Sequence, residues 1–329
     1  MKRLAQILMV LVLVLWLVPP WSTEPMTPMW AAGGRLTATP VALDSADPRR
    51  RLVNGLVFLG GWRLTSNDPA FGGISSMLVA GEHFTLLSDY SLVTRFRFDG
   101  RSITDARFTA LPDWFGTGWA RPDVDSESLA QDPTSGRFWV GFENWNAISR
   151  YSPDLGRRER VSRPESMRGW HENGGPESIA RLPNGAFVVI SETSHWPHAK
   201  GRAALWHAGD PTVPGRRAFR FAYLPPKGYD PSDAVALPNG RLLVLNRAFH
   251  LPYVFTAILT VVDTRRIAPD MLVRGRELAR LEGSLLHDNF EALSVTRESG
   301  HTIVWIASDD NQSVLQRTLL LKFRLADGS

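Results

Sequence analysis

One short pattern recurs along most of this chain. In each copy a small or acidic residue precedes an apolar stretch, a turn follows, and a second apolar stretch runs into a polar cluster. The copies are marked by Gly73, Glu127, Glu177, Ser232 and Glu291, and successive markers are 54, 50, 55 and 59 residues apart. A period of about fifty residues holds four short strands, which is typical of a β-propeller blade.

The turns inside the copies indicate strand hairpins. Pro183-Asn184-Gly185 and Pro238-Asn239-Gly240 each separate two apolar stretches. Asn-Gly supplies the positive φ that a tight strand connection needs. Five units are visible, and residues 52–62 can supply strands for one more. We therefore predict an all-β fold, a single β-propeller of six blades with four antiparallel strands each, in which the two chain ends share one blade.

The composition supports this fold and excludes some chemistry. Helical periodicity is scarce, and short stretches rich in Val, Ile, Leu, Phe and Trp are interrupted by 27 Gly and 23 Pro. The 12 Trp suit the packing between radially arranged sheets. The chain has no Cys, so that disulfides, thiol catalysis and cysteine metal sites are excluded.

The N-terminus has the pattern of an export signal. Lys2 and Arg3 precede an apolar run over residues 4–18, and Pro19-Pro20 follows. The predicted domains are a signal peptide or N-terminal membrane anchor over residues 1–30, a linker over 31–50 and the propeller over 51–325. The protein is then periplasmic or secreted, either cleaved near Ala31-Ala32 or held at the inner membrane by residues 4–18.

Basic residues are numerous but not clustered. The chain contains 33 Arg and only 4 Lys, with a net charge of +4. The densest run, Arg157-Arg158-Glu159-Arg160, is short, so nucleic-acid binding is not expected. Arginine is a good planar partner for phosphate and carboxylate groups. The expected partner is a small-molecule substrate, which can be anionic. The protein is expected to be a monomer. It would contact a membrane only through the N-terminal segment, if that segment is not cleaved.

The repeated acids point to a metal site. The innermost strands of a propeller line its central channel, so that equivalent residues of different blades become neighbours. Four acids near the starts of these strands would then face one another: Glu127, Glu177, Asp233 and Glu291. The ends of the second strands would add further oxygens: Asp89, Glu143, Glu192 and Asp309. Clustered carboxylates are costly without a cation, and their hard oxygens suit Ca²⁺.

The same acids also have a purely structural interpretation. Asp, Glu and Ser at strand starts accept hydrogen bonds from free backbone N–H groups. Asx turns account for Asp309, Asp310 and Asn311 without any ligand. Both interpretations stay open for each residue taken alone, whereas recurrence at equivalent places favours a functional mouth for the set.

Two further residues are candidates for catalysis. Arg247 stands where the other copies carry an acid, and it can anchor an anionic substrate or pair with an acid of the channel. His171 lies in a polar loop shortly before Glu177 and is a candidate acid or base. Phosphate-loop and dinucleotide-binding motifs and the Gly-x-Ser-x-Gly elbow do not occur in the sequence.

Several segments between about Leu52 and Phe323 form a distinctive set: Leu59-Gly60-Gly61-Trp62, Phe71-Gly72-Gly73-Ile74-Ser75, Pro231-Ser232-Asp233, the run from Leu237 to Arg247, Asp288-Asn289-Phe290-Glu291, Ser308-Asp309-Asp310-Asn311 and the run from Gln316 to Phe323. With these segments the chain resembles the phytase-like domain family, also described as "esterase-like activity of phytase". The resemblance implies a secreted or periplasmic six-bladed propeller, related in architecture to the calcium-dependent phytases that hydrolyse phosphomonoesters. The chain departs from the family pattern at Ser76, where a Gly often follows Ser75, and at Asn246, where an acid often precedes the Arg.

Three functional hypotheses follow. The first is a calcium-dependent hydrolase of a phosphate or other ester. In it the metal ligands are Glu127, Glu177, Asp233, Glu291 and Asp309, and the catalytic groups are Arg247 and His171. The second is a non-catalytic ligand- or protein-binding propeller of the cell envelope, with structural calcium. The third is a lactonase-like or sugar-ester hydrolase on the same scaffold, because a fold does not determine an activity.

Overall fold

Each of the five sequence repeats forms the inner part of one sheet, and the sheets are the blades of a β-propeller. The computed structural model describes residues 2–17, 34–116, 120–251 and 254–326. The predicted all-β propeller is therefore confirmed. The predicted number of six blades is wrong, since the described residues form five sheets.

The elements before the first repeat are helix α1 (Lys2–Leu17) and strands β1 (Leu36–Pro40), β2 (Leu52–Val53) and β3 (Leu56–Ser66). Blade 1 contains β4 (Ile74–Ala80), β5 (His83–Ser88), β6 (Leu92–Phe98) and β7 (Ile103–Ala110). A short helix, α2 (Arg121–Val124), leads into blade 2, which contains β8 (Ser126–Gln131), β9 (Phe138–Phe142), β10 (Ala147–Tyr151) and β11 (Arg158–Ser162).

Blade 3 contains β12 (Ser178–Arg181), β13 (Phe187–Ile190), β14 (Arg202–His207) and β15 (Ala218–Leu224). Blade 4 contains β16 (Asp230–Ala236), β17 (Leu242–His250), β18 (Val254–Val262) and β20 (Arg276–Leu281). Between its last two strands the chain returns to blade 3, where β19 (Leu272–Arg274) pairs in parallel with β15. Two 3-10 turns cover Glu165–Met167 and Thr264–Arg266.

Blade 5 closes the ring by joining the two ends of the chain. Its inner strands are β21 (Phe290–Glu298), β22 (His301–Ser308) and β23 (Leu319–Leu325). The next strand outward is β3, which pairs antiparallel with β23, and β1 pairs on the far side of β3. The predicted sharing of one blade by both chain ends is confirmed. The segment assigned to a sixth blade supplies this closing strand instead.

The first strand of each repeat lines the channel. The strands β4, β8, β12, β16 and β21 contact one another in that order, and β21 contacts β4. Serine hydroxyls join neighbouring strands of this ring. Ser75 donates to the carbonyl of Ser126 at 2.7 Å, and Ser232 donates to the carbonyl of Phe290 at 3.1 Å. Because these bonds cross from blade to blade, they hold the inner strands in register.

Large aromatic side chains fill the seams between blades, as expected from the many Trp. Trp305 of blade 5 meets Phe84 of blade 1 edge to face, with ring centroids 5.0 Å apart. Trp139 of blade 2 meets Phe187 of blade 3 in the same way at 4.8 Å. All four side chains are buried. Edge-to-face contacts of this kind add to the hydrophobic energy of burial.

The N-terminal region is described in part. Helix α1 covers most of the apolar run predicted as an export signal, whereas residues 18–33, with the expected cleavage site near Ala31-Ala32, lie outside the described residues. Within the described part of the chain no helix has both the length and the apolar character needed to cross a membrane. Residues 36–40, which fall in the predicted linker, form β1 and extend blade 5.

Candidate functional site

The five inner strands have equivalent residues at or near their starts, and in four of them this residue lies at an irregularity of the strand. Pairing between the first and second strands shifts by one residue at Ser75, Glu127, Ser232 and Glu291. Glu177 occupies the equivalent place immediately before β12. A β-bulge re-aims the side chain of its extra residue. The repeat therefore places three glutamates and two serines at equivalent positions.

The ends of the second strands form a second tier around the same mouth. Asp89, Glu143, Glu192 and Asp309 lie just beyond β5, β9, β13 and β22. The equivalent position of blade 4 is Arg247, inside β17. We call the carboxylates of both tiers, with their neighbour Asp125, the acidic mouth: Asp89, Asp125, Glu127, Glu143, Glu177, Glu192, Glu291 and Asp309.

Two groups of carboxylates in the acidic mouth are close enough to share a cation. Asp125, Glu127 and Glu143 each offer an oxygen within 4.8 Å of the others, and so do Glu143, Glu177 and Glu192. Glu143 belongs to both groups, and only Glu192 is more than slightly exposed. An arrangement with oxygen ligands alone fits a hard cation such as Ca²⁺.

Burial and mutual repulsion make these carboxyls weak acids. Burial raises the pKa of Glu127 well above its usual value, and the charges of Glu177 and Asp125 raise it further. Glu177 is shifted in the same direction by burial and by Glu192. Burial, together with Asp125, raises the pKa of Glu143 to about 8. In the absence of a bound cation, these carboxyl groups therefore tend to hold protons near neutral pH.

Two arginines neutralise one side of the mouth. Arg247 Nη2 lies 2.8 Å from Glu192 Oε1, and its Nη1 lies 3.0 Å from Glu291 Oε1. Arg121 Nη2 lies 2.8 Å from Asp89 Oδ2. Although burial opposes it, these acids hold the pKa of both guanidinium groups above the usual value. Of the two roles left open for Arg247, pairing with acids of the channel is the one that the structure shows.

An amide links Arg247 to the last blade. Arg247 Nη1 donates to Asn289 Oδ1 at 2.8 Å. Asn289 Nδ2 donates in turn to Glu291 Oε1 at 2.7 Å and to Asp309 Oδ2 at 3.3 Å. Glu291 and Asp309 are therefore bound to side-chain donors, as are Glu192 through Arg247 and Asp125 through Asn144. In the part of the chain that the structure describes, no ion pair reaches Glu127, Glu143 or Glu177.

Unsatisfied oxygens support a cation at the mouth. Within the described residues, Asp125 Oδ1 and Asp89 Oδ1 are buried and accept no hydrogen bond. A buried carboxylate oxygen without a donor is costly, because it has lost its water. The two carboxylate groups thus fit a calcium ion held by Asp125, Glu127 and Glu143 or by Glu143, Glu177 and Glu192.

The glycine pair before β4 makes room for two further acids. Gly72 and Gly73 have φ of 135° and 60°, which other residues rarely adopt. A Cβ atom at Gly72 would overlap the carboxylate of Asp310, and one at Gly73 would overlap that of Asp89. Gly73 N also donates to Asp310 Oδ1 at 3.0 Å. The absence of a side chain at Gly72 and Gly73 therefore leaves space for the carboxylates of Asp310 and Asp89.

Asp233 lies deeper than the acidic mouth. Its Oδ2 accepts from the backbone N–H of Leu293 at 2.7 Å, and its Oδ1 accepts from the N–H of Ala234 at 2.7 Å. Burial raises the pKa of Asp233 well above its usual value. The side chain that takes the mouth position in this blade is Ser232, so the structure does not bring Asp233 together with Glu127, Glu177 and Glu291.

His171 is placed at the surface near the mouth. Its side chain is exposed, and its backbone N–H donates to Ser194 Oγ at 2.8 Å. It belongs to neither carboxylate group. The structure therefore leaves the proposed acid or base role of His171 without a contact to the groups around Glu143.

A cavity opens next to Glu143. It has a volume of about 430 Å³ and is lined in part by Asn144, Trp145, Arg163 and Trp170. Arg163 stacks on the ring of Trp145, with its guanidinium carbon 4.4 Å from the ring centroid. Asn144 Nδ2 donates to Asp125 Oδ2 at 2.5 Å, which connects the cavity to the acidic mouth. An aromatic cavity beside a polar centre has the usual character of a small-molecule site.

Sequence reasoning missed several residues of the mouth. Asp125 stands two residues before Glu127, and side chains two apart on a strand share a face, so that this spacing is a usable signal. Arg121 carries no such signal, because helix α2 brings it to Asp89 from outside the repeat. The aromatic cavity depends on Trp145 and Trp170, which the sequence analysis assigned to blade packing with the other Trp.

A family profile described as phytase-like, "esterase-like activity of phytase", matches residues 69–312, which is more than half of the chain. No curated protein sequence matches this chain. Solved structures with a similar fold include the glutaminyl cyclase of Myxococcus xanthus, at 14% identity with a TM-score of 0.45, covering 78% of this chain and 92% of that one.

Two other solved structures are similar at the same level. The hydrazine synthase of Kuenenia stuttgartiensis is 13% identical with a TM-score of 0.40, covering 73% of this chain and 77% of that one. A luciferin-regenerating enzyme is 11% identical with a TM-score of 0.41, covering 88% and 97%. At this level of similarity none of the three bears on the function of the chain.

Proposed function

Because this chain belongs to the phytase-like family, we propose that its acidic mouth binds calcium and that the loaded protein hydrolyses an ester of a small molecule. The observation that carries the proposal is the pair of carboxylate groups that share Glu143. Within each group the oxygens lie within 4.8 Å of one another, and the two groups together combine acids of blades 2 and 3. Such a concentration of buried acids is costly unless a cation offsets it.

The proposed ligands differ in part from those expected from sequence. Glu127 and Glu177 stay in the set, and Asp125, Glu143 and Glu192 join them. Glu291 and Asp309 border the site through Asn289. Asp233 is left out because both its oxygens accept backbone N–H groups.

The residues around the mouth can support hydrolysis. Calcium bound there would polarise the ester and lower the pKa of a water molecule. Glu143, as the carboxylate common to both groups, would hold the cation beside the substrate. The walls of the cavity at Trp145 and Trp170 would bind and orient the body of the substrate and exclude water from it.

The state of the arginines argues against phytate as the substrate. Phytate carries many phosphates and needs several free cationic side chains. Arg247 and Arg121 are both paired with acids of the mouth. We therefore propose an ester with at most one anionic group, and a sugar ester or lactone suits the aromatic cavity as well as a phosphomonoester does.

A non-catalytic binding propeller with structural calcium is the second candidate. The position of His171 favours this candidate. His171 is the histidine proposed for proton transfer, but it is exposed and belongs to neither carboxylate group. The acidic mouth would then bind calcium without acting on an ester.

Hydrolysis assays separate the two candidates. The purified protein is freed of metal with EDTA and tested on p-nitrophenyl acetate, p-nitrophenyl phosphate and phytate, with and without added calcium. The first proposal expects turnover of a p-nitrophenyl ester that EDTA abolishes and calcium restores. A calcium-dependent rise in melting temperature without turnover of any ester would assign the binding role instead.

We also propose that the protein is exported and acts as a monomer in the periplasm or outside the cell. Support comes from Lys2 and Arg3 before the apolar run of α1. Fractionation of expressing cells, with mass determination of the mature chain, tests both the compartment and cleavage. Retention of the full-length chain in the cytoplasmic fraction would contradict the proposal.

A further inference from the structure

A second cavity lies on the side of the molecule opposite the acidic mouth. The strands β4 and β8 start at the mouth, so that Ala80 and Gln131 at their far ends mark the other side of the molecule. The cavity lies between blades 1 and 2 there and has a volume of about 470 Å³. Its size falls in the usual range for a small-molecule site.

Two arginines face each other on the wall of this cavity. Arg95 of β6 and Arg107 of β7 are directly opposite in the antiparallel register, and Thr85 of β5 is opposite Arg95. Residues opposite each other on paired strands point to the same face, with their Cβ atoms about 5 Å apart. All three residues line the cavity. Like charges in this arrangement destabilise a sheet.

Among the described residues neither arginine forms an ion pair, although the charge of Asp154 acts on Arg95. Arg95 Nη1 donates to the backbone carbonyl of Asp154 at 3.0 Å, while the carboxylate of Asp154 is bound to Ser152 Oγ and to the N–H of Gly156. Arg107 forms no ion pair within the described part of the chain. Arg97, on the same strand as Arg95, is paired, since its Nη2 lies 2.7 Å from Glu82 Oε2.

Burial makes the charge of Arg95 costly, and the negative charge of Asp154 offsets this only in part. The Arg95 side chain is partly buried, and burial lowers the pKa of its guanidinium group. The guanidinium carbon lies 5.8 Å from the ring centroid of Phe138, which is buried. This guanidinium group lies over an aromatic ring and opposite a second arginine, so an anion bound in the cavity would interact favourably with both arginines.

The remaining walls select the kind of anion. Phe138 and Leu78 are apolar, whereas Gln131 and Thr85 can hydrogen-bond. Asp105 also lines the cavity, but it acts on Arg97, whose pKa it helps to raise. A bare inorganic ion would leave most of this volume unused, so the walls fit an organic molecule with one oxyanion group.

We propose that the cavity between blades 1 and 2 is a binding site for a small organic oxyanion, held by Arg95 and Arg107. The oxyanion is a phosphate, phosphonate or carboxylate group, all of which match the planar guanidinium fork. The organic body lies against Phe138. This site is separate from the acidic mouth and does not depend on calcium.

Calorimetric titration with two probes that share a phenyl ring tests the proposal. Phenylphosphonate and benzoate are titrated into the full chain in EDTA, at an ionic strength kept constant with sodium chloride. We expect one molecule of at least one probe to bind, and the stronger probe identifies the oxyanion class. Both Arg107→Gln and Arg95→Gln should weaken binding roughly tenfold or more.

The matched control is Arg274→Gln, which removes an exposed arginine from β19 of blade 3 and should leave binding unchanged. Arg107 is exposed, so that Arg107→Gln should fold; without ligand it should melt at the same or a higher temperature, because a repulsive pair is lost. Failure of both probes to bind the unaltered protein, or equal binding by Arg107→Gln, would overturn the proposal. Binding in EDTA by a protein that takes up no calcium would support this site and contradict the function proposed for the mouth.

Discussion

Two glutamates of blade 2 show opposite behaviour. Glu159, on the outer strand β11, lies 2.8 Å from Arg137 Nε and 3.0 Å from Arg150 Nε. Although burial opposes them, these arginines lower the pKa of Glu159. Glu143, just beyond the end of β9, has Asp125, Glu127 and Glu177 for neighbours. Burial, together with the charges of Asp125 and Glu192, raises its pKa to about 8.

The contrast shows that the acidity of the mouth is local. The chain has more Arg and Lys than Asp and Glu, so cations were available to pair with every acid. They pair with Glu159, with Asp132 through Arg181 and with Asp210 through Arg150. Around Glu143, arginines reach Glu192 and Asp125, but within the described residues no ion pair reaches Glu127, Glu143 or Glu177. Buried acids left without a cation in this way indicate a ligand at that place.

The largest effect is expected from replacing Arg247, which pairs with two acids of the acidic mouth. Arg247→Gln leaves Glu192 and Glu291 without their partner and should lower the free energy of unfolding in EDTA by about 3 kcal/mol. Arg137→Gln, outside the acidic mouth, should lower the free energy of unfolding by no more than about 1 kcal/mol, because Glu159 keeps its ion pair with Arg150. Urea unfolding of both variants measures the difference. Equal losses of stability in the two variants would mean that ion pairs inside and outside the acidic mouth contribute equally.

Glu143→Gln should break the calcium site. It removes the one carboxylate common to both groups, so we expect calcium affinity to fall on the order of 100-fold. Glu159→Gln is the matched control in the same blade and should bind calcium like the unaltered protein. Calorimetric titration of calcium gives both values. Unchanged affinity in Glu143→Gln would refute the assignment of the ligands.

Asp233 provides a third environment, in which backbone groups compensate a buried acid. Asp233→Ala leaves the N–H of Leu293 unsatisfied and should destabilise the fold by about 2 kcal/mol. Asp233→Asn keeps an acceptor for this N–H and should cost less than half as much. Neither change should alter calcium affinity. A marked loss of calcium binding in Asp233→Asn would restore Asp233 to the ligand set.

The smallest effect is on the pH dependence of stability. The pKa of Glu143 is higher in the folded chain than its usual value of 4.5, so the folded state binds more protons and loses stability as pH rises toward and through 8. The buried His207, with its pKa lowered to about 4 by burial, acts in the opposite sense only below about pH 6.5.

Between pH 6.5 and 8.5 we therefore expect the metal-free protein to lose between about 1 and 2 kcal/mol of stability. Calcium should remove this slope, since the bound cation replaces the protons. Unfolding curves at three pH values, with EDTA or with calcium, measure it, and Glu143→Gln should flatten the EDTA slope. Stability that rises with pH in EDTA would contradict the raised pKa values.

The fold could be predicted almost completely from sequence, because it depends on repetition. Markers at Glu127, Glu177 and Glu291 with Asn-Gly turns identified blades and inner strands, and these are local properties of spacing and φ. The number of blades could not be obtained in this way. Residues 56–66 form a strand in either arrangement, and only pairing with β23 shows that they complete blade 5.

The candidate site could be predicted in part. Equivalent positions in a repeat become neighbours around an axis, so the sequence alone determined that Glu127, Glu177 and Glu291 would meet at one end of the channel. Tertiary structure decided which side chains share a centre. A displacement of one residue along a strand reverses the direction of a side chain, and the bulge at Ser232 therefore sends Asp233 to the backbone of the next blade. Arg121 and Arg247 likewise acquire their partners only through long-range packing, which sequence spacing does not encode.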